Sequence, residues 1–441
     1  MIQFDLNHLA PHQMQAYLKA VEILDPPIFM EMRTGKTRVA LAMFAHWKVS
    51  NPLVIHPGSA LLGWIDEMDR TGVKWVNLSD MSKLKRMKWV QNPEPDTVIL
   101  IRHQTLVSQP EIADYVDALC LDESTCIKSP NSQITNTLLG IADEHPDYRR
   151  MVLTGLPNPE GLYELFNQYY FLDGHFMSCD NYYRFRNTYF TNDGWGWQLK
   201  PGAYALIKDH VHATSVLIRR KDVQGFPEKV RMNRQVEADK VFMAVYEETE
   251  KSWSWEDKDT MYAVSLENWL QRMAGGWDPD GIKLLSDHKL KALEEMIREE
   301  FEPEEQVVVW CRYTVEAAVV SSRLSALGTV AHVHGGLAPK ERDEERRKFQ
   351  RGEARILVTT IKSMQGGVDL SNAVASIFYS NEWSNELRTQ AEDRLINKNR
   401  TFPAYIYDLS TKGTVEDRLV PDLMEKGFNA RIFLQNYHNR R

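Results

Sequence analysis

Residues 28–44, IFMEMRTGKTRVALAMF, set Gly35-Lys36-Thr37 between the end of an apolar run and the start of a helical pattern. That order suits phosphate. A strand end, a tight turn and a helix N-terminus aim backbone N–H groups and the positive end of the helix dipole at phosphate oxygens. Lys36 can neutralise charge on the outer phosphates, and the Thr37 hydroxyl can reach a magnesium ion. The full phosphate-loop pattern asks for glycine at position 30, where this chain has Met30, and Arg33 stands inside the loop. Taken alone, the GKT leaves two readings open: a nucleotide site, or a basic helix start.

Asp122 and Glu123 close a second apolar run, LCLDES. Adjacent carboxylates at a buried strand end suit two tasks. Asp122 can hold magnesium through water, and Glu123 can orient or deprotonate an attacking water. Two solvated acids ending a strand are the alternative, but open α/β sheets bind ligands at the carboxyl ends of their strands. With the GKT on an earlier strand end, the pair points to NTP hydrolysis in a two-lobed protein.

The surrounding elements must position these groups. IFMEM, PLVIHP, DTVILIRHQTL, YVDALCLDES and RRMVLTGLP read as strands, and SALLGWIDEMDR as a helix with Ser59 available as its cap. The alternation predicts a parallel sheet with crossover helices. Residues 160–230 are dense in aromatics and weak in strand pattern, and charged helical segments follow to about 300. Strands then resume with EQVVVWC, TVAHVHG, ARILVTT, ASIFYSN and AYIYDLS. The fold class expected is α/β, two tandem doubly wound parallel-sheet lobes joined by helical segments. The expected boundaries are a first lobe at 1–158, an aromatic-rich helical insertion at 159–232, a helical linker at 233–284 and a second lobe at 285–441.

A chain of 441 residues, 43% hydrophobic and 26% charged, is expected to form a multi-domain globular protein. No apolar run of eighteen residues occurs, so no membrane span is expected, and the N-terminus does not read as a signal peptide. Cys120, Cys126, Cys179 and Cys311 show no metal-ligand spacing, and a reduced cytoplasmic compartment is expected. The net charge of −8 argues against coating nucleic acid by bulk attraction, while leaving room for a local basic channel.

Nearly end to end, the chain resembles the Swi/Snf-type branch of superfamily-two helicases. LAPHQMQAYLKA resembles the opening segment that brings a glutamine, Gln13, near adenine; MEMRTGKT resembles motif I; PLVIHPGSALLGWIDEM resembles motif Ia with its W-x-x-E. LDESTCIKSPNSQ is similar to motif II, and LTGLPNPEGLYELFNQYYFLDG to motif III, with Leu156 where a second threonine is usual. HATSVLIRRKDVQGFPEK resembles the family's paired-arginine segment. In the second lobe VVVWCRYT is similar to motif IV, ILVTTIKSMQGGVDLSNA to motif V, and NEWSNELRTQAEDR to the approach to motif VI, while YIYDLSTKGTVEDRL matches the closing strand and helix.

The resemblance implies RecA-like lobes, ATP and Mg2+ as cofactors, and movement along duplex or branched DNA by a monomer that touches mainly backbone phosphates. It implies nucleotide contacts from Gln13, Arg33, Thr34, Gly35, Lys36, Thr37, Arg38, Gly367 and Asp369, and catalytic roles for Lys36, Asp122, Glu123, Gln390 and Arg394. Thr37 and Asp122 would serve magnesium, and Arg394 would act as an arginine finger when the lobes close. For Arg394 the alternative is a surface salt bridge with Glu392 or Asp393. Thr105, His334, Gly335, Thr359 and Thr360 are the DNA-contact candidates; for each threonine the alternative is a strand-end hydrogen bond. The cluster Arg219, Arg220 and Lys221 takes a structural or ATP-sensing role, and Trp195 and Trp197 are expected to pack rather than to stack on bases.

One departure stands out. A second arginine is usual three residues after Arg394, and this chain has Asn397 there, with Lys398 and Arg400 as nearby substitutes. A nucleotide-binding DNA scaffold with weak hydrolysis, and an RNA helicase of the same superfamily, are the competing functions. The compact architecture resembles bacterial or bacteriophage members.

Overall fold

The computed structural model describes residues 1–192, 197–256, 258–364, 368–398 and 400–433. It divides into two compact units, one holding Met1–Gln224 and the other Gly225–Phe428.

The first unit is built on a seven-stranded parallel sheet. Its strands are β1 (Pro27–Met30), β2 (Leu53–His56), β3 (Lys74–Asn77), β4 (Thr97–Arg102), β5 (Ala118–Asp122), β6 (Arg149–Thr154) and β9 (Val216–Ile218), and β7 (Phe190–Asn192) and β8 (Trp197–Leu199) form a separate antiparallel pair. Strand order is β3-β4-β2-β5-β6-β1-β9. β1, β2 and β5 are buried along their whole length, as strands covered on both faces must be. The helices are α1 (Pro11–Ala20), α2 (Lys36–Trp47), α3 (Leu61–Thr71), α4 (Lys83–Gln91), α5 (His103–Val107), α6 (Gln133–Glu144), α7 (Leu165–Asp173), α8 (Tyr182–Tyr189) and α9 (Ala203–Thr214). The cap expected at Ser59 is not used: Ala60 precedes α3, with no side-chain cap.

The aromatic segment is this unit's core. Phe166, Tyr169, Phe176, Phe185 and Phe190 share one buried cluster with Leu53, Ile99 and Leu121 of the sheet. Trp197 packs at its border, with the Arg186 guanidinium 3.9 Å from the ring centroid; Trp195 lies outside the described residues. After that excursion the chain returns as β9, which pairs with β1 in the register Ile28↔Val216 and Met30↔Ile218.

The second unit carries a six-stranded parallel sheet in the order β10-β17-β16-β13-β15-β14. These strands are β10 (Lys229–Val236), β13 (Val307–Cys311), β14 (Val330–Val333), β15 (Ile356–Thr360), β16 (Ala375–Phe378) and β17 (Ala404–Thr411), and the short pair β11 (Ser254–Trp255) and β12 (Lys258–Asp259) stands apart. β10 already belongs to this sheet, well before the expected lobe start at 285. α12 (His288–Glu300) and α13 (Thr314–Leu324) cover one face through Leu293, Ile297 and Val320. α14 (Pro339–Gln350) and α15 (Asn385–Asp393) supply Phe349 and Ala391 to the cluster on the other. α10 (Lys240–Ser252) and α11 (Ala263–Ala274) pack on each other through Phe242, Tyr246, Leu266 and Leu270, and α16 (Glu416–Phe433) closes the described chain. Among the described residues, no helix is long and apolar enough to cross a membrane.

Candidate active site

β1 ends at Met30 and α2 starts at Lys36, so Glu31–Gly35 form the loop between them. Gly35 takes φ 86, and a side chain there would collide with the Gln13 carboxamide. Arg33 takes φ 66, a left-handed backbone that favours glycine, and holds it with an arginine. Gln13 is buried; its Oε1 accepts from Ala10 N at 2.9 Å and its Nε2 donates to Thr34 O at 3.1 Å. The expected adenine contact therefore sits against the loop itself. Thr34 donates its hydroxyl to Glu31 O at 2.6 Å. Lys36 Nζ donates to Met30 O at 3.2 Å, and a Cβ at Gly155, which follows β6, would lie 3.6 Å from that nitrogen. Parallel strands thus bring motif I and motif III to one sheet edge. Arg38 faces elsewhere along α2, paired with Glu67 and donating to His8 O at 3.1 Å.

Asp122 closes β5 at the same edge. Trp64 Nε1 donates to its Oδ2 at 2.9 Å, and Glu123 N donates to its Oδ1 at 3.0 Å. Glu123 takes φ 50 and ψ 60, a left-handed conformation uncommon for its type. Such outliers concentrate at functional sites. Behind the pair, the Ser124 hydroxyl donates to Gln168 Oε1 at 2.7 Å, while Gln168 Nε2 donates to Pro157 O at 2.6 Å. Asn167 Nδ2 donates to Ile127 O at 2.7 Å. α7 thereby ties motif II to motif III by two buried amides that motif matching alone did not assign. Leu156, in the place of a second threonine, gives its backbone N–H to Thr154 Oγ1 at 3.2 Å.

His103 lies under Asp122, its Nε2 donating to Asp122 O at 3.2 Å. Burial lowers its pKa from 6.5 to about 4, against the pull of the Asp122 carbonyl and charge. The unfolded chain takes up this proton near pH 6.5 and the folded ring only near 4. The unfolded state binds more protons between those values, so stability falls as pH drops through the window. His103→Gln keeps an N–H for Asp122 O and is expected to flatten the dependence of urea-unfolding free energy on pH between 6.5 and 4. An unchanged slope would show that the ring does not stay neutral in the fold. His56, also lowered by burial, keeps part of the slope in the variant.

The loop is also held from β9. Since β1 and β9 run parallel and in register, Glu31 and Arg220 emerge side by side. Glu31 N donates to Ile218 O at 2.9 Å, and Glu31 Oε2 accepts from Arg220 N at 2.9 Å and Nε at 3.3 Å. Arg219 makes a two-point contact with Asp222, at 2.7 and 3.0 Å. The paired arginines are thus two differently employed residues, and only Arg220 touches the phosphate loop through a described bond.

In the second unit α15 carries Gln390, half-buried, and is followed by its C-cap Arg394, which is 7% exposed and donates through NH1 to Val368 O at 3.4 Å. Glu392 and Asp393 are engaged from β10: Lys229 reaches Glu392 Oε2 at 3.0 Å and pairs with Asp393, and Arg231 reaches Glu392 Oε2 at 2.5 Å. Asn397 donates through Nδ2 to Asp369 Oδ2 at 2.8 Å, while Asp369 Oδ1 accepts from Ser371 N at 2.9 Å. The residue in the second-arginine position therefore holds the expected ribose contact. Arg400 is no substitute for it: the guanidinium is buried and donates to the carbonyls of Ser371, Ala373, Val374, Phe402 and Pro403. Lys398 Nζ sits 5.4 Å from the Phe226 ring centroid. Gly367, with Gln365 and Gly366, lies outside the described residues.

The DNA-contact candidates separate by exposure. Thr359 is fully buried and donates its hydroxyl to Val333 O at 2.9 Å, the strand-end bond that was its alternative reading. Thr360, also buried, bonds to Ser363 Oγ. His334 Nδ1 accepts from Gly336 N at 3.2 Å, and Gly335 is exposed, its carbonyl 3.4 Å from Arg342 NH2. Thr105 is half-buried in α5 and accepts the Ser108 hydroxyl at its carbonyl at 2.8 Å.

Residues 288–399 match the family model described as Helicase conserved C-terminal domain. The "SWI/SNF-related matrix-associated actin-dependent regulator of chromatin subfamily A-like protein 1" of Drosophila melanogaster is 21% identical over 88% of this chain and 50% of its own length. The "DNA repair and recombination protein RDH54" of Saccharomyces cerevisiae (strain JAY291) is 24% identical over 87% of this chain and 46% of its own length. A solved structure, "Sulfolobus solfataricus SWI2/SNF2 ATPase core in complex with dsDNA", aligns at 18% identity and a TM-score of 0.44, covering 98% of this chain and 96% of that one. The chain spans about half the length of the curated relatives it matches. The second unit thus carries a helicase conserved C-terminal domain match, and along most of its length the chain is similar to SWI/SNF-related and DNA repair and recombination proteins, in keeping with the resemblance to the Swi/Snf-type branch of superfamily-two helicases.

Proposed function

We propose that this chain is a DNA-dependent ATPase that couples hydrolysis to movement along duplex or branched DNA. The observation that carries the reading is the convergence of Lys36, Gly155 and the Asp122–Glu123 pair at the carboxyl edge of one parallel sheet. The names of its relatives, a chromatin regulator and a DNA repair and recombination protein, support DNA as the partner.

The residues present fit ATP with magnesium. Gly35 holds a left-handed turn ahead of the α2 N-terminus, and each Asp122 oxygen takes one described donor, which leaves acceptor capacity on both. Thr37 and Asp122 would hold the magnesium ion, which when bound supplies charge neutralisation on the phosphoryl oxygens. Lys36 exchanges the Met30 carbonyl for phosphate oxygens. Glu123 orients or deprotonates the attacking water. Arg394, from the second unit, stabilises the charge that develops in the transition state, so that turnover follows closure of the lobes. DNA is held mainly through its backbone phosphates, at the exposed Gly335 turn and the half-buried Thr105, contacts that let each phosphate go in turn.

Steady-state ATPase without nucleic acid and with single strands, duplex, a four-way junction or structured RNA tests the reading. Duplex or junction DNA is expected to raise turnover most, and Lys36→Ala to lower it by on the order of 10²–10³-fold. If no DNA raises turnover, or the variant retains it, the motor reading fails; a larger response to RNA selects the RNA-helicase alternative. Asn397 favours one further reading, a DNA scaffold with weak hydrolysis, because its amide is committed to Asp369 and Arg400 is spent on carbonyls. DNA affinity without stimulated turnover would favour it.

A further inference from the structure

Helix α3 carries two polar groups for which the roles above give no reason. Trp64, 1% exposed, gives its indole N–H to the Asp122 carboxylate at 2.9 Å. Three residues on, Glu67 pairs with Arg38. Residues at i and i+3 share a helix face, so one side of α3 presents a donor to motif II and an acceptor to the helix of motif I. Arg38 follows Thr37 directly in α2, and Asp122 ends β5. The two contacts of α3 therefore fall on the two elements that carry the proposed magnesium-side groups.

Core packing alone does not account for the pair. A phenylalanine would fill the Trp64 site without an N–H, and an indole aimed at a buried carboxylate is a charge-assisted bond. With Glu123 N on the other oxygen, both carboxylate oxygens are fixed and the plane of the group is set. A shift of α3 would move that plane and the start of α2 together.

We propose that α3 is a strut: Trp64 positions the Asp122 carboxylate, and Glu67, through Arg38, positions the first turn of α2, so that the Asp122 oxygens and the Thr37 hydroxyl keep one spacing. The W-x-x-E of this helix is then a spacer between nucleotide elements. The inference rests on the ATP–magnesium reading of this sheet edge. Losing a partner that orients a metal ligand typically costs 10–100-fold in metal affinity.

The test follows thermal unfolding of the full chain with saturating ADP, first in EDTA and then across a magnesium titration, which reads binding without turnover. Trp64→Phe is expected to leave the shift caused by ADP in EDTA as it is and to raise the magnesium midpoint by roughly tenfold. Glu67→Gln is expected to move the midpoint in the same direction by less, because its ion pair is partly exposed. If Trp64→Phe only lowers the melting temperature and keeps the wild-type magnesium midpoint, Trp64 is core packing and the strut is wrong. Should that variant not fold, an unchanged midpoint in Glu67→Gln overturns the proposal. A wild type that gains no magnesium-dependent stability with ADP sinks the nucleotide reading as well, a result distinct from failure of the strut alone.

Discussion

Arg394→Ala is expected to lower DNA-stimulated ATP turnover by roughly 10³-fold or more, with nucleotide affinity left near the wild-type value. A finger acts on charge that exists only in the transition state, so its loss appears in turnover and not in ground-state binding. The surroundings of Arg394 favour that use. Its neighbours Glu392 and Asp393 already receive Lys229 and Arg231 from β10, and Glu392 also receives Arg388. The described bond of Arg394 runs to Val368 O at 3.4 Å, a long contact to a neutral acceptor. Arg394→Lys keeps the charge without the planar fork and is expected to recover little of the rate. The measurement is kcat beside the affinity for a fluorescent ADP analogue. A fall in affinity that matches the fall in rate would make Arg394 a binding residue.

Arg388→Met is expected to cost the second unit about 3–5 kcal/mol, because it strands buried carboxylates. Arg388 NH2 donates to Asp408 Oδ2 at 2.9 Å and Nε to Glu392 Oε1 at 3.0 Å, with the guanidinium 3.5 Å from the Phe378 ring centroid. For a unit of this size each kcal/mol is worth about 2–4 °C in melting temperature. Burial pushes the Glu392 carboxyl up, but Lys229, Arg231 and Arg388 together overcome it and hold it well below the usual 4.5. A depressed carboxyl stabilises the fold above its unfolded value and loses that contribution as pH falls through the folded one. Acid unfolding of the wild type below about pH 4.5 should therefore become shallower in Glu392→Gln. Chemical denaturation at neutral and acid pH checks both; a loss under about 1 kcal/mol in Arg388→Met would show that the network is solvated.

All ten strands expected from the sequence form, and the reason is local: each is a short apolar run, most of them buried on both faces by a parallel sheet, with the edge strand β14 buried at alternate residues. The three unforeseen members of the two sheets lack that signal. β9 is three residues at the end of a helical stretch, and β3 and β10 are edge strands, KWVN and KVRMNRQV, with polar residues facing out. At the site, Lys36, Asp122 and Glu123 are legible because phosphate chemistry constrains residue type and spacing within one turn of chain. What fixes them is not legible in that way. Trp64 and Asp122 are 58 residues apart, and Glu31 and Arg220 are 189 apart, so both contacts exist only through the strand order. Asn397, read as a missing arginine, is a hydrogen-bond donor to Asp369, which no count along motif VI would reveal.

The late return of β9 bears on how the protein is made. Until residues 216–218 leave the ribosome, β1 is a bare sheet edge, open to pairing with any extended segment nearby. A nascent chain of 158 residues has its phosphate loop and acidic pair but neither Arg220 nor the aromatic core that covers its sheet. The proposed nucleotide site therefore matures only after the whole aromatic excursion has been synthesised and docked, and a soluble first half should be sought by ending the chain at Gln224.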